Sequence, residues 1–403
     1  MLRVVLGVTL LLIVALVGYR RTFTGLRLPR GARIILLTGT EFILVGVALG
    51  SSMLDVLDEE TIRRLTPLFS LALGYVGLIY GIQLERDKIR RFPPRYLVAT
   101  VVQSVVTFVV ILVPSFWVFD LFESGGGSTV WLAALVLAAA GANTGQTTLA
   151  LLVRELRVRG SQFLYLLRYI DSLDAIVGVT AIGVAFAMAH PSGPVPLVGA
   201  PALQWFVLSA LLGVALGLLL HLVTQYHCTE EELVVFGLGM VLFAGGIATY
   251  LKLSPLFVNM MLGITMANLP GAHDRLFNLL IRLEKPFYLL LLILAGAIWH
   301  VGSLTIVGFA SVYLLLRMAG KALGGYLASH IVTPEVNAPR TMGFALTSLG
   351  GVAIAIVLSY YTLFPGDLNQ WVVTAVLGTV MANEFLSPGM IRLVLGATPK
   401  EAR

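Results

Sequence analysis

Charge is what this sequence has least of. Asp, Glu, Lys and Arg together supply 12% of its 403 residues, against 58% hydrophobic residues. That balance excludes a chain whose main solvent is water. Cysteine is almost missing: Cys228 has no second thiol to pair with, so neither an internal disulfide nor a paired-thiolate metal site is available. It reads as a small apolar residue at a helix end. Catalytic signatures are missing as well. There is no HExxH, no phosphate-binding glycine loop, and no His base beside a Ser or Thr nucleophile, so the expectation is a protein that is not an enzyme and has no cofactor. The net charge of +6 does not imply nucleic acid, because Lys and Arg fall in alternate loops and form no continuous basic face.

What is present is a succession of apolar stretches. Thirteen can be drawn, at 4–19, 33–51, 65–84, 96–119, 129–153, 163–189, 203–224, 232–251, 253–269, 283–300, 303–331, 338–364 and 368–395. Most are long enough to cross a hydrocarbon layer of about 30 Å as a helix. The expected fold class is an all-α polytopic membrane protein of about 13 transmembrane helices, with no appended soluble domain. Segment one reads as an anchor helix and not a cleaved signal, since Arg20 and Arg21 follow it directly.

The loops after segments one, three, five and nine carry Arg20, Arg21, Arg27 and Arg30; Arg86, Lys88, Arg90, Arg91 and Arg95; Arg154, Arg157 and Arg159; and Arg275 and Arg282. Arg63, Arg64 and Lys252 are the basic residues of the opposite loops, where Asp55, Asp58, Glu59, Glu60, Asp120, Glu123 and Asp367 collect. This one-sided bias places the N-terminus outside and the C-terminus in the cytoplasm of a cell membrane.

Thirteen segments divide as six, one and six, and an odd linker helix inverts the second half: the arithmetic of an inverted repeat. Segments five and twelve then correspond. The first contains Gly141-Ala142-Asn143-Thr144-Gly145-Gln146-Thr147-Thr148 and the second Thr347-Ser348-Leu349-Gly350-Gly351. Gly costs about 1 kcal/mol relative to Ala in a helix interior, and amides and hydroxyls are awkward in lipid, so both read as broken helices that cross beside a polar cavity. Close packing through small residues is the alternative.

Six charges lie deep in predicted spans: Glu41, Asp171, Asp174, Arg317, Lys321 and Glu384. Unpaired in lipid they would cost on the order of 15 to 20 kcal/mol together, so each needs a partner or water. Arg168, Asp171 and Asp174 recur at intervals of three in segment six and are read as one face. By depth along segment eleven, Arg317 is expected opposite Asp174 and Lys321 opposite Asp171. A carboxylate held there by burial and a nearby cation can take a proton or a small metal ion, and competition for one carboxylate is exchange. A fixed structural salt bridge is the competing reading. Glu384 remains open between a packing partner and a second titratable site, and Glu41 reads as a structural hydrogen-bonding group. His190, His221, His227, His273, His300 and His330 fall at or near helix ends, where nothing marks them as pH sensors.

Several of these stretches, in order, resemble bacterial monovalent cation:proton antiporters. They are Gly77-Leu78-Ile79-Tyr80-Gly81-Ile82-Gln83-Leu84-Glu85 with Asp87 and Arg90-Arg91, then Ala142-Asn143-Thr144, Leu173-Asp174-Ala175-Ile176, Ser254-Pro255-Leu256 with Gly263, and Arg317-Met318-Ala319-Gly320-Lys321. The thirteen-helix count is similar to the second branch of that superfamily. The resemblance implies core helices in 96–189 and 303–397 moving against dimerisation helices in 1–95 and 232–300, with 203–224 as linker, in a homodimer. It also implies that Asp174 takes the transported Na⁺, Li⁺ or K⁺ and the proton, assisted by Thr144, Asn143 and backbone groups. One departure stands out: Leu173 occupies the position before Asp174, where the family commonly has Asp, Asn or Gln. If Asp171 is locked to Lys321 or Arg168, a single carboxylate would serve and exchange would be electroneutral; if both titrate, it would be electrogenic. A sodium-driven organic-anion symporter, with Arg317 as the anion group, and a transport-inactive sensor or scaffold are the competing functions.

Overall fold

The computed structural model describes residues 39–51, 53–122, 127–155, 161–190, 201–225, 229–270, 273–300, 302–333 and 335–397. Segment one, the Arg20 to Arg30 loop, Arg157, Arg159, His227, Cys228 and the end of the C-terminal tail lie outside these residues.

Everything regular in the described chain is helical. In order, the α-helices are α1 (Glu41–Leu49), α2 (Glu59–Arg64), α3 (Thr66–Gln83), α4 (Arg86–Arg90), α5 (Pro94–Phe122), α6 (Ser128–Ala142), α7 (Gln146–Glu155), α8 (Gln162–Leu173) and α9 (Ala175–Met188). The series continues with α10 (Pro201–Thr224), α11 (Glu230–Tyr250), α12 (Pro255–Ala267), α13 (His273–Leu280), α14 (Glu284–Ala297), α15 (Leu304–Val332), α16 (Gly351–Leu363) and α17 (Asn369–Ala397). Short 3₁₀ turns at Ile281–Leu283 and Met342–Leu346 precede α14 and α16. Among the described residues six helices, counting α8 and α9 as one, are long and apolar enough to cross a membrane. The chain is therefore a multi-pass membrane protein. Segments five and twelve are interrupted and so are not unbroken spans, and segment six is tightened at Asp174.

Exposed apolar side chains cover the outer helices, among them Leu219 of α10 and Val235 and Phe243 of α11, as expected of surfaces solvated by lipid. Inside, hydrophobicity cannot select neighbours, because lipid is as apolar as leucine, so backbones are drawn together where side chains are smallest. The α1–α14 contact shows this. A Cβ at Gly46 would stand 2.1 Å from the Ile293 carbonyl oxygen, and one at Gly296 would stand 2.0 Å from that of Ile43. The α3–α12 contact is built the same way around Gly77, Gly81 and Gly263.

The loops fix the two ends of the bundle. At the basic end the Asn268 amide donates to the Leu84 carbonyl at 3.2 Å, and Lys88 pairs with Glu85 at 2.8 Å and Asp274 at 3.0 Å. These hold the exits of α3 and α12 together. α6 and α16 are buried along most of their length, which places the two interrupted helices in the interior.

Candidate functional site

α6 stops at Ala142 and Asn143 turns to extended backbone, so the last carbonyls of the helix lose their intrahelical partners. The 3₁₀ turn ending at Leu346 interrupts segment twelve in the same way, before Gly350 opens α16. The two interruptions cross in contact. Gly145 N–H donates to the Ser348 carbonyl at 3.1 Å, and the Ser348 hydroxyl donates to the Gly145 carbonyl at 2.8 Å. Glycine is required here by proximity: a Cβ at Gly145 would lie 2.7 Å from the Leu349 carbonyl carbon. The expected break in both segments is thus what the structure contains.

Arg317 of α15 closes this crossing. Its guanidinium donates to the carbonyls of Gly141 (3.0 Å), Asn143 (2.8 Å), Thr347 and Ser348 (2.9 Å). Two of these oxygens lie at the end of α6 and two at the opposed break, where helix carbonyls concentrate negative potential. Four of its five N–H donors are spent on backbone, which leaves no vacant fork for an organic anion. The expected pairing of Arg317 with Asp174 is therefore corrected.

Lys321 takes that carboxylate. Its ammonium lies 3.2 Å from Asp174 Oδ2, 2.9 Å from Thr144 Oγ1 and 2.7 Å from the Ala142 carbonyl, and Lys321 and Asp174 are both fully buried. The Thr144 hydroxyl in turn donates to Asp174 Oδ2. The one-turn offset from the sequence-based pairing has a simple cause. Side chains on a helix lean toward its N-terminus, and α8 and α15 enter the bundle from opposite ends, so Asp174 and Lys321 lean toward each other.

Three acceptor oxygens in this region have no donor: Oδ1 of Asp174, Oδ1 of Asp171 and Oδ1 of Asn143. All three residues are at most 4% exposed. The Asn143 amide donates to the Ala139 carbonyl at 2.7 Å and packs against Gly178, one turn past Asp174. Buried carboxylate and amide oxygens without donors are costly, and hard oxygen donors are what a small alkali cation coordinates.

Gln146, the first residue of α7, reaches from the crossing to the Asp171 carbonyl at 3.4 Å and to Gln83 of α3 at 3.5 Å. Next to it a cavity of about 360 Å³, lined by Gln83, Lys88, Phe92, Tyr169, Ser172 and Leu173, lies at the basic end. Gln83 and Gln146 stand within stretches quoted above but were not singled out there. An amide flanking a helix break was the available signal.

The remaining candidates separate. Arg168 is exposed whereas Asp171 is buried: each step of three residues drifts 60° around a helix, and the charge reaches the surface instead of sharing the face. It is corrected as a charge partner. Asp171 is paired with neither Arg168 nor Lys321 among the ion pairs of the described residues. Glu384 is buried in α17 beside Tyr288 of α14, with Glu41 and Glu284 also in that ring's surroundings. For Glu41 the opposing charge in reach is Lys285, and its carboxylate accepts a backbone hydrogen bond, as expected of it, while Oε2 accepts none.

A family model described as sodium/hydrogen exchanger, transmembrane, matches residues 10–396. Among solved structures, the sodium proton antiporter MjNhaP1 from Methanocaldococcus jannaschii is similar with a TM-score of 0.66 at 13% identity, over 98% of this chain and 100% of that one. A comparison with curated proteins returns no match.

Proposed function

Since the chain belongs to the transmembrane sodium/hydrogen exchanger family, we propose that it exchanges a monovalent cation, Na⁺, Li⁺ or K⁺, for protons by alternating access around Asp174. The observation that carries this reading is the donor set at Lys321. A carboxylate, a hydroxyl and a carbonyl oxygen surround an ammonium, and the same oxygens suit an alkali cation. With Asp174 Oδ1, Asp171 Oδ1 and Asn143 Oδ1 unpartnered beside it, an entering ion finds coordination at once.

The exchange follows from charge balance. A cation bound to Asp174 shares that carboxylate with Lys321, and the one positive charge left in excess cannot remain in a dry interior. A proton leaves, either from Lys321 or from a protonated Asp174. On the other face of the membrane the reverse step releases the cation. Asp171 lacks the lock that would make it a bystander; in this reading it gives up a second proton as the cation binds, so two protons move against each cation and the cycle moves net charge.

In this reading residues 96–189 and 303–397 form the moving core, and 39–95 and 232–300 the static helices, with α10 as the link and a homodimer as the assembly. The basic end faces the cytoplasm of a cell membrane, and the cavity at Gln83 and Ser172 is the cytoplasmic vestibule.

Proteoliposome flux tests the proposal. An imposed Na⁺ or K⁺ gradient should drive a change of internal pH in the wild type and none in Asp174→Asn, while Glu384→Gln retains it. Cation-driven proton movement that persists in Asp174→Asn would remove the central residue.

A further inference from the structure

α14 ends at Ala297, and the three residues after it are captured side by side by the start of α17. The Gln370 side chain does this twice. Its amide N–H donates to the Ile298 carbonyl at 3.2 Å, and its carbonyl oxygen accepts the His300 N–H at 3.2 Å. One turn further along α17, the Thr374 hydroxyl accepts the Trp299 indole N–H at 3.2 Å. The loop is braced from behind. His300 Nδ1 donates to the same Ile298 carbonyl at 3.0 Å, and Nε2 accepts from the Ser51 hydroxyl just past α1.

The position gives these bonds meaning. α14 starts at the basic end next to α13, so residues 298–300 stand at the far end of the bundle, remote from the cavity at Gln83, Lys88 and Ser172. A backbone carbonyl just past a helix end has no partner of its own in the helix, and Gln370 supplies one from a different helix. A side chain amide that both donates to and accepts from one backbone stretch also fixes register, which a single hydrogen bond does not.

We propose that Gln370, supported by Thr374, is the latch that keeps the outer side shut while the site opens to the cytoplasm. The inference rests on the division into a moving core and static helices given above: α17 belongs to the first and residues 298–300 to the second. The core cannot shift until Gln370 releases both backbone groups. Gln370 and Thr374 touch no transported ion, so they are positioning residues that set how long each side stays open.

Apparent affinity on each side scales with the population of the state open to that side. Loss of the Gln370 bonds should move the equilibrium toward the outward-open state about tenfold, equivalent to about 1.4 kcal/mol and on the scale of two net hydrogen bonds. The experiment is the cation dependence of proton flux, measured separately from each face in vesicles of known orientation. Gln370→Ala should lower the external KM several-fold and raise the cytoplasmic KM, and Thr374→Val should shift both in the same senses by a smaller factor. A purely structural role predicts a lower melting temperature with both KM values unchanged or moved in one direction, and that result overturns the latch. Should Gln370→Ala fail to fold, Thr374→Val decides alone. Wild-type vesicles without cation-driven flux would instead remove the exchange reading beneath it.

Discussion

Lys321 and Arg317 sit one turn apart on α15, both fully buried, and perform different work. Arg317 spends its charge on four backbone carbonyls, whereas Lys321 spends its charge on Asp174. Replacing Arg317 with Met should orphan those carbonyls at about 1 to 3 kcal/mol each. The expected result is a large fall in detergent melting temperature. Arg317→Lys restores it incompletely, because an ammonium cannot span the four positions that a planar fork spans. Lys321→Met should leave the fold nearer intact and Asp174 without its countercharge, so cation binding by calorimetry should persist with its proton taken from Asp174 and its pH dependence shifted from that of the wild type. The sequence identifies which residues are buried charges, yet not which of them meet. Spacing along a helix gives the depth of a Cα atom; the partner is decided by the lean of a long side chain, which differs by a turn for Lys321.

At the scale of elements, the crossing depends on backbone approaching backbone. Gly145→Ala and Gly350→Ala would each push a Cβ within 2.8 Å of the opposed chain. Each should reduce flux at least tenfold and separate the two breaks. Gly246→Ala, on the open face of α11 with nothing near its Cβ position, serves as the control and should change stability by less than about 0.5 kcal/mol. Both interruptions were legible, since Asn143-Thr144-Gly145 and Thr347-Ser348-Leu349-Gly350 join polar side chains, which lipid disfavours, to glycine, which weakens a helix interior. The junction at Asp174 was not. Asp174 N–H bonds back to Ile170 at 2.9 Å while Val177 N–H bonds to Asp174 at 3.2 Å, a local tightening in a run that contains neither Gly nor Pro. Arg168 misled for a related reason: a spacing of three suggests a stripe, but the stripe winds around the helix and leaves the buried face.

At the scale of the molecule, the described chain encloses a buried ion pair, with a cavity lined by Ser172 and Leu173 at the basic end and a polar seam between α14 and α17 at the far end. Composition and loop charge were enough to read a multi-pass membrane bundle. How the far ends of α14 and α17 are joined depends on contacts between residues some 70 positions apart, such as Gln370 with Ile298, and no local pattern encodes those. If both Asp171 and Asp174 titrate, an imposed membrane potential should alter the exchange rate, and Asp171→Asn should abolish that voltage dependence while exchange continues. The central claim is that a metal ion and a proton compete for one buried site. Its most direct measurement is the pH of a weakly buffered solution of purified protein as Na⁺ or K⁺ is added. The account predicts saturable acidification by the wild type and none by Asp174→Asn; saturable cation binding with no proton released would contradict it.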